Sequence, residues 1–153
     1  MNPMIDAQRV PQRCLIGKAV GLFRFGAIDQ HVARLLEPFG CVVKACDPYV
    51  EERVFEELGV ARVPDMLTLC RNSDVVSLNA AHRDETGRVL NREAISLLRP
   101  GALVVNTSYG ELVDLSTLEE RLSEGSLFTC LDLVTGGMPV RLDLSLIHIC
   151  RCR

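Results

Sequence analysis

The feature that most constrains the fold is a regular alternation, between residues 18 and 133, of short apolar runs with segments of helical periodicity. Continuous apolar runs are typical of parallel strands that are covered on both faces. Six such runs with intervening helices predict an α/β fold, a doubly wound parallel sheet in three layers with strand order 3-2-1-4-5-6. The predicted strands are residues 18–23, 41–46, 60–63, 74–78, 102–106 and 127–133.

Helices are predicted between these strands, and most of them end at a glycine or a proline. They span residues 27–39, 51–58, 64–71, 91–98 and 114–124, with Pro64 at the start of the third and Asp114 or Ser116 as the N-cap of the last. The packing face expected for the first helix is apolar and consists of Ile28, Val32, Leu35, Leu36 and Phe39.

Composition narrows the class of protein. A chain of 153 residues that is 48% hydrophobic and 24% charged has the balance of one globular domain, which argues against global disorder. Its formal net charge of −3, without a basic patch, does not favour a nucleic-acid partner. No apolar run approaches the length of a membrane span.

Four of the seven cysteines lie in or beside apolar runs and form no CxxC pair, which predicts buried, reduced thiols in a cytoplasmic protein.

The last ten residues do not continue this pattern. Residues 144–149 read LSLIHI, which resembles one reading frame of a common sequencing-library adapter. We therefore expect the natural sequence to stop near residues 141–143 and residues 144–153 to be a non-native tail. His148, Cys150 and Cys152 lie in this tail and are not interpreted as a metal site.

The junction between the first strand and the first helix is a candidate dinucleotide site. Residues 20–28 read VGLFRFGAI, and a pyrophosphate binds at such a junction because helix N–H groups face it and glycines let the backbone approach. The usual G-x-G-x-x-G pattern is degenerate here, since its three positions hold Arg24, Gly26 and Asp29. Only the central glycine remains, and Asp29 is expected to oppose a pyrophosphate while Arg24 offsets that charge.

Asp47 strengthens this interpretation. It ends the second predicted strand about twenty residues downstream, where a carboxylate binds the adenosine ribose and repels a 2′-phosphate. The other interpretation of Asp47 is an ordinary Asp-Pro turn with Pro48. The spacing favours the binding role and predicts NAD over NADP as the cofactor.

Several runs together resemble the NAD-binding domain of D-2-hydroxyacid dehydrogenases, which include the phosphoglycerate dehydrogenases and are related to the C-terminal-binding-protein corepressors. The runs are GKAVGLFRFGAIDQHVARLLEPFG, VVKACDPY, SDVVSLN and LLRPGALVVNTSYGELVD, and RPGALVVNT-x-x-GELVD is the most specific part. The resemblance covers nearly all of residues 17–139. It implies a Rossmann domain over residues 1–143 with its core at 17–139, an NAD cofactor, and hydride transfer to or from a 2-hydroxy or 2-keto acid in the parent protein.

The resemblance also implies roles for single residues. Those at the pyrophosphate are Arg24, Gly26, Ala27 and Ile28, and those at the adenosine ribose are Asp47 and Pro48. Asn79 and Ala80 are implied to line the adenine and nicotinamide-ribose side, Thr107 and Ser108 to border the nicotinamide, and Asp132 to contact the carboxamide. The alternative for Thr107 and Ser108 is a strand-end turn, and for Asp132 a helix cap or turn carboxylate.

The residues that the family uses for catalysis are not matched. Tyr109 stands where the family has an arginine that holds the substrate carboxylate, and tyrosine cannot form a charged, bidentate clamp. Residues 134–139 read VTGGMP and lack the expected glutamate, while His82 lies in the wrong loop. No catalytic residue is assigned.

Two functions therefore remain open. The first is a fragment of an NAD-dependent dehydrogenase that lacks the substrate domain and the catalytic residues. The second is a degenerate, non-catalytic module that senses NAD or forms a homodimer. Fold resemblance alone does not decide between them.

Overall fold

A computed structural model of the chain describes residues 14–79, 88–108 and 110–131. The strands are β1 Ala19–Phe23, β2 Val42–Cys46, β3 Ala61–Arg62, β4 Val75–Leu78, β5 Ala102–Asn106 and β6 Leu127–Leu131. The α-helices are α1 Ala27–Leu36, α2 Glu52–Glu57, α3 Met66–Arg71, α4 Arg92–Ser96 and α5 Leu115–Ser123, and short 3₁₀ helices span Glu37–Phe39 and Gly110–Leu112.

All six strands form one parallel sheet in the order β3-β2-β1-β4-β5-β6, which confirms the predicted strand order. Its register aligns the carboxyl ends of five strands. Phe23 lies beside Cys46 on one side and Leu78 on the other, and Asn106 lies between Leu78 and Leu131. The loops that follow these strands therefore converge on one edge of the sheet, where ligands of such folds bind.

The core lies on both faces of the sheet, as a three-layer fold requires. One cluster contains buried side chains of β1 and β2, together with Ala33 of α1 and Phe55 of α2. The rings of Phe25 and Phe55 stack within it, with centroids 4.8 Å apart. The other cluster contains β4 and β5 side chains and the apolar sides of α3, α4 and α5.

Gly21, in the middle of β1, has no room for a side chain. A Cβ atom there would lie 2.5 Å from Oγ of Ser73 and 2.9 Å from Cγ of Leu69. Ser73 cannot easily move away, because it is completely buried and its hydroxyl donates to the carbonyl of Leu69 at 2.7 Å. The close packing of α3 on β1 therefore depends on this glycine.

The predicted packing face of α1 is partly wrong. Ile28, Leu35 and Phe39 are exposed, whereas Asp29 and Ala33 are buried. The buried side follows the i, i+3, i+4, i+7 spacing from Asp29 to Leu36. It includes the carboxylate of Asp29, which a search for apolar residues does not find. The helix also ends at Leu36, and its last predicted turn is 3₁₀.

Side-chain caps set several helix boundaries. The third helix begins at Met66 and not at Pro64, because the carboxylate of Asp65 accepts a hydrogen bond from the N–H of Thr68 at 2.7 Å. Asp114 caps α5 by accepting from the N–H of Thr117. The hydroxyl of Ser116 donates to Asp114, so Ser116 is not the cap.

In the described part of the chain, no helix is long and apolar enough to cross a membrane. The five described cysteines are free thiols, and those of Cys46 and Cys70 are buried. The predicted tail, residues 144–153, lies outside the described residues.

Candidate cofactor-binding site

The turn after β1 is made by an arginine in a conformation that usually requires glycine. Arg24 has a φ of +64°, in the left-handed region that side chains disfavour by roughly 1–2 kcal/mol. Its N–H donates to the carbonyl of Cys46 at 3.0 Å, and its carbonyl accepts from the N–H of Gly26 at 2.8 Å. The chain thus preserves the tight turn at the first position of the glycine motif although the glycine itself is absent.

Gly26 begins α1 and leaves its N-terminus open. It is the N-cap residue, and it forms no side-chain cap hydrogen bond. A Cβ atom on Gly26 would meet no atom within 4 Å, so none of the described residues fills the space beside this glycine. The first N–H groups of an α-helix have no partner within the helix, which makes those of Ala27 and Ile28 available to an anion.

Asp29, at the third position of the motif, points into the protein. Asp29 is only 1% exposed, and its carboxylate accepts a hydrogen bond from the side-chain amide of Asn79 at 2.7 Å. Burial raises the pKa of Asp29 to about 7, and the negative charge of Asp47 adds to this effect. The hydrogen bond from Asn79 and that from a backbone N–H favour the ionised form but do not cancel the effect of burial.

The ends of β4 and β5 are joined by hydrogen bonds around Asn79. The hydroxyl of Thr107 donates to Oδ1 of Asn79 at 2.7 Å. The hydroxyl of Ser108 donates to the carbonyl of Leu78 at 3.0 Å. The N–H of Ser108 donates to Oδ1 of Asn106 at 2.8 Å, and these bonds hold the two strand ends at one wall of the site.

Asp47 directly follows β2, on the other side of the site. It is 8% exposed, and its Oδ1 accepts a hydrogen bond from the N–H of Tyr49 at 2.8 Å. The turn interpretation made from the sequence is therefore correct for one oxygen of this carboxylate. Arg62 stabilises the same turn, because its guanidinium donates to the carbonyl of Asp47 at 3.1 Å while pairing with Glu52 at 2.8 Å.

The structure brings most predicted site residues to one edge of the sheet. Those that it describes are Arg24, Gly26, Ala27, Ile28, Asp47, Pro48, Asn79, Thr107 and Ser108. Ala80, Tyr109 and Asp132 lie outside the described residues, as do His82 and residues 134–139. Sequence reasoning missed the contact between Asp29 and Asn79, because the two residues are fifty positions apart and no local pattern connects them.

Comparison with known proteins decides the family. Residues 4–147 match the model of a family described as D-isomer specific 2-hydroxyacid dehydrogenase, NAD binding domain. The chain belongs to this family. This membership confirms the resemblance seen in the sequence, and it shows NAD as the cofactor of the domain.

Among the relatives of this 2-hydroxyacid dehydrogenase domain is the D-3-phosphoglycerate dehydrogenase of Methanocaldococcus jannaschii, which is 34% identical over 122 residues, 80% of this chain and 23% of the relative. The hydroxypyruvate reductase of Thermotoga maritima is 36% identical over 114 residues, 74% of this chain and 36% of the relative. The apo-structure of D-lactate dehydrogenase from Escherichia coli is similar with a TM-score of 0.73 and 34% identity, covering 79% of this chain and 38% of that one. The chain therefore spans 23–38% of the length of these three proteins.

Proposed function

We propose that this chain supplies the NAD-binding domain of an oxidoreductase that moves hydride between NAD and a small 2-hydroxy or 2-keto acid. The observation that supports this most strongly is the open N-terminus of α1. It lies where the order of strand addition reverses. The chain adds β2 and β3 on one side of β1 and then crosses over to add β4 on the other side. Dinucleotides bind at such a switch point in doubly wound folds.

The pyrophosphate is proposed to lie against Gly26, with the N–H groups of Ala27 and Ile28 donating to its oxygens. Open space at Gly26 supports this placement, since a side chain there would project toward the bound phosphates. Arg24 adds a positive charge beside the same loop. Together these groups replace the water that the phosphates lose on binding.

Asp47 is proposed to accept hydrogen bonds from the adenosine ribose, next to Pro48. Its Oδ1 already accepts from the N–H of Tyr49, so the ribose is assigned to Oδ2. The fixed turn keeps the carboxylate at the end of β2, where its charge repels a 2′-phosphate. This arrangement supports NAD over NADP.

The nicotinamide half of the cofactor is proposed to lie along Asn79, Ala80, Thr107 and Ser108, with Asp132 at the carboxamide. The hydrogen bonds that join the ends of β4 and β5 support this placement, because they fix a polar wall beside the open helix terminus. Bound NAD supplies the hydride acceptor, and the residues of this chain bind and orient it.

The alternative is a domain that binds NAD without supporting catalysis. Tyr109 at the position of the carboxylate-binding arginine supports it, and so does the loss of two motif glycines to Arg24 and Asp29. Both functions require that the domain bind NADH. One is a parent enzyme whose active site other residues complete, and the other is a non-catalytic NAD sensor.

The test is a titration that follows the fluorescence of NADH itself, since the chain has no tryptophan. We expect saturable binding of NADH and weaker binding of NADPH. Gly26→Ala should weaken NADH binding without loss of helical signal in circular dichroism. Equal affinity of Gly26→Ala and the unchanged chain for NADH would contradict the proposed placement of the pyrophosphate.

Two further proposals concern location and assembly. A cytoplasmic location is supported by the five free thiols of the described residues, which suit a reducing compartment. A homodimer is supported by the exposed apolar side chains of Ile28 and Leu35 on α1 and of Phe39 on the 3₁₀ helix that follows it. Sedimentation velocity at increasing protein concentration tests the dimer, and a single monomer boundary at every concentration would contradict it.

A further inference from the structure

Asp29 carries a buried carboxyl group that takes no part in the proposed binding of the pyrophosphate. It belongs to the first turn of α1, two residues beyond the N–H group of Ala27, yet its residue is only 1% exposed. A carboxylate that is removed from water without a cation is costly, and a protein avoids that cost by keeping it protonated. The position is therefore unusual enough to require an explanation.

The contacts of Asp29 extend across the site. Asn79 donates its amide N–H to Asp29 and accepts the hydroxyl hydrogen of Thr107, each at 2.7 Å. These two bonds fix which side of the Asn79 amide faces Asp29 and which faces Thr107. Asp29, Asn79 and Thr107 thus form a chain of hydrogen bonds from the first turn of α1 to the residue that follows β5.

The charges around Asp29 do not favour its ionised form. The described charged group that acts on it from a neighbouring strand is Asp47 at the end of β2, and its effect is to raise the pKa. On the ends of β4 and β5 the described neighbours are neutral hydrogen-bonding groups, Asn79 and Thr107. The preceding turn carries Arg24 and the same helix carries the exposed His31, but neither forms an ion pair with Asp29 among the described residues.

We propose that Asp29 is a positioning residue of the cofactor site that takes up a proton from solvent when the domain binds NAD. This inference rests on the proposed placement of the pyrophosphate at Gly26. Two phosphate charges that arrive at the first turn of α1 disfavour a further negative charge on the buried carboxyl group of Asp29. The protonated carboxyl group still accepts the hydrogen bond from Asn79 through Oδ1, so the wall formed by Asn79 and Thr107 keeps its geometry.

Proton uptake has a measurable consequence for affinity. Above the pKa of free Asp29, each rise of one pH unit weakens NADH binding by up to about tenfold, until the pKa of the complex is reached. Near pH 6, Asp29 is protonated in both the free and the bound state, and the affinity is independent of pH. A pKa of about 7 places the start of the decline at neutral pH.

The experiment measures the dissociation constant of NADH for the whole chain from pH 5.5 to 9, by NADH fluorescence. Isothermal titration in two buffers of different ionisation enthalpy measures the protons taken up per NADH. We expect affinity to fall above pH 7 and uptake of a fraction of one proton at pH 7.5. Asp29→Asn should bind NADH as tightly as the unchanged chain does at pH 6, and should keep that affinity at pH 8.

Two controls separate Asp29 from other groups. The histidines serve as the first control, and a variant with His31, His82 and His148 replaced by glutamine should keep the pH profile if Asp29 is responsible for it. Asn79→Ala should move the midpoint of the profile to higher pH, because the hydrogen bond from Asn79 favours the ionised form of Asp29. A purely structural role of Asn79 would change the affinity without moving this midpoint.

The outcomes distinguish this inference from the proposed function. Absence of NADH binding at every pH would overturn the proposed function. Binding with the same pH profile in Asp29→Asn as in the unchanged chain would overturn only the role of Asp29. If Asp29→Asn does not fold, the histidine-free variant decides, and a lack of proton uptake by it at pH 7.5 would overturn the inference.

Discussion

Asp29 should also control how the stability of the free chain depends on pH. Its pKa is about 7 in the folded chain against 3.8 in the unfolded one, so the folded chain holds this proton more tightly. Its contribution to the free energy of unfolding is greatest below about pH 4, declines as the pH rises to about 7 and is constant above that. Each unit of difference between the two pKa values corresponds to about 1.36 kcal/mol. Asp29→Asn should therefore stabilise the chain at pH 8 by an amount on the order of a few kcal/mol.

Urea unfolding at pH 5 and pH 8 checks this prediction. The difference in unfolding free energy between Asp29→Asn and the unchanged chain should be larger at pH 8. An equal difference at both pH values would show that the carboxyl group is not titrating between them.

Asp74 provides the opposite case on the same sheet. The N–H of Ala19 donates to its carboxylate at 2.9 Å and Arg99 lies at 3.5 Å, and both lower its pKa. Its stabilising effect is therefore present at neutral pH and is lost as the pH falls through the lowered pKa. Asp74→Asn should lower the urea midpoint at pH 7, and this loss should shrink as the pH falls through the lowered pKa of Asp74. A loss that stays the same at every pH would contradict the assignment.

The packing of α3 on β1 can be tested with a pair of glycines. Gly21→Ala should destabilise the chain by about 1–3 kcal/mol, because the added methyl group meets Ser73 and Leu69 in a close-packed core. Gly26→Ala is the matched control, since nothing lies within 4 Å of the added atom and its φ of −73° suits alanine. Urea denaturation with equal losses for both variants would contradict this account of the packing.

The order and type of the helices and strands were predictable from the sequence because they depend on local patterns. Apolar runs predicted the six strands, and the order of these strands in the sheet agrees with the predicted order. Boundaries were less predictable where a side chain competes with the periodic pattern. Asp65 shows this, because its capping bond to Thr68 starts α3 two residues later than the proline suggested.

The site was predictable only where it depends on backbone position. Gly26 and Asp47 follow strands whose ends the sheet must bring together, so their convergence at one edge could be expected. The inward direction of Asp29 could not, because it depends on a partner, Asn79, on a distant strand. The packing of α1 was misjudged for the same reason, since apolar spacing does not reveal a buried carboxyl group.

For the chain as a whole, we predict NADH binding without turnover. The resemblance to the family implies that Tyr109 stands in place of an arginine, so we expect no charged clamp for a substrate carboxylate. The loss of a proton-transferring group typically costs about 10²–10⁴-fold in rate. NADH absorbance with glyoxylate, pyruvate or hydroxypyruvate should therefore remain constant. Tyr109→Arg alone should not restore activity, since it supplies no proton donor. Steady oxidation of NADH that is lost on mutation of Tyr109 would show that other residues perform the chemistry.

The open N-terminus of α1 is where we propose that the cofactor binds. A titration of the ¹⁵N-labelled chain with NADH, followed by NMR, tests it directly, because at 16.9 kDa each backbone amide can be observed separately. We expect the largest saturable shifts at the amides of Gly26, Ala27 and Ile28, with further shifts at Asp47 and Asn79. Saturable binding that leaves these amides unchanged and shifts others far from the carboxyl edge of the sheet would contradict it.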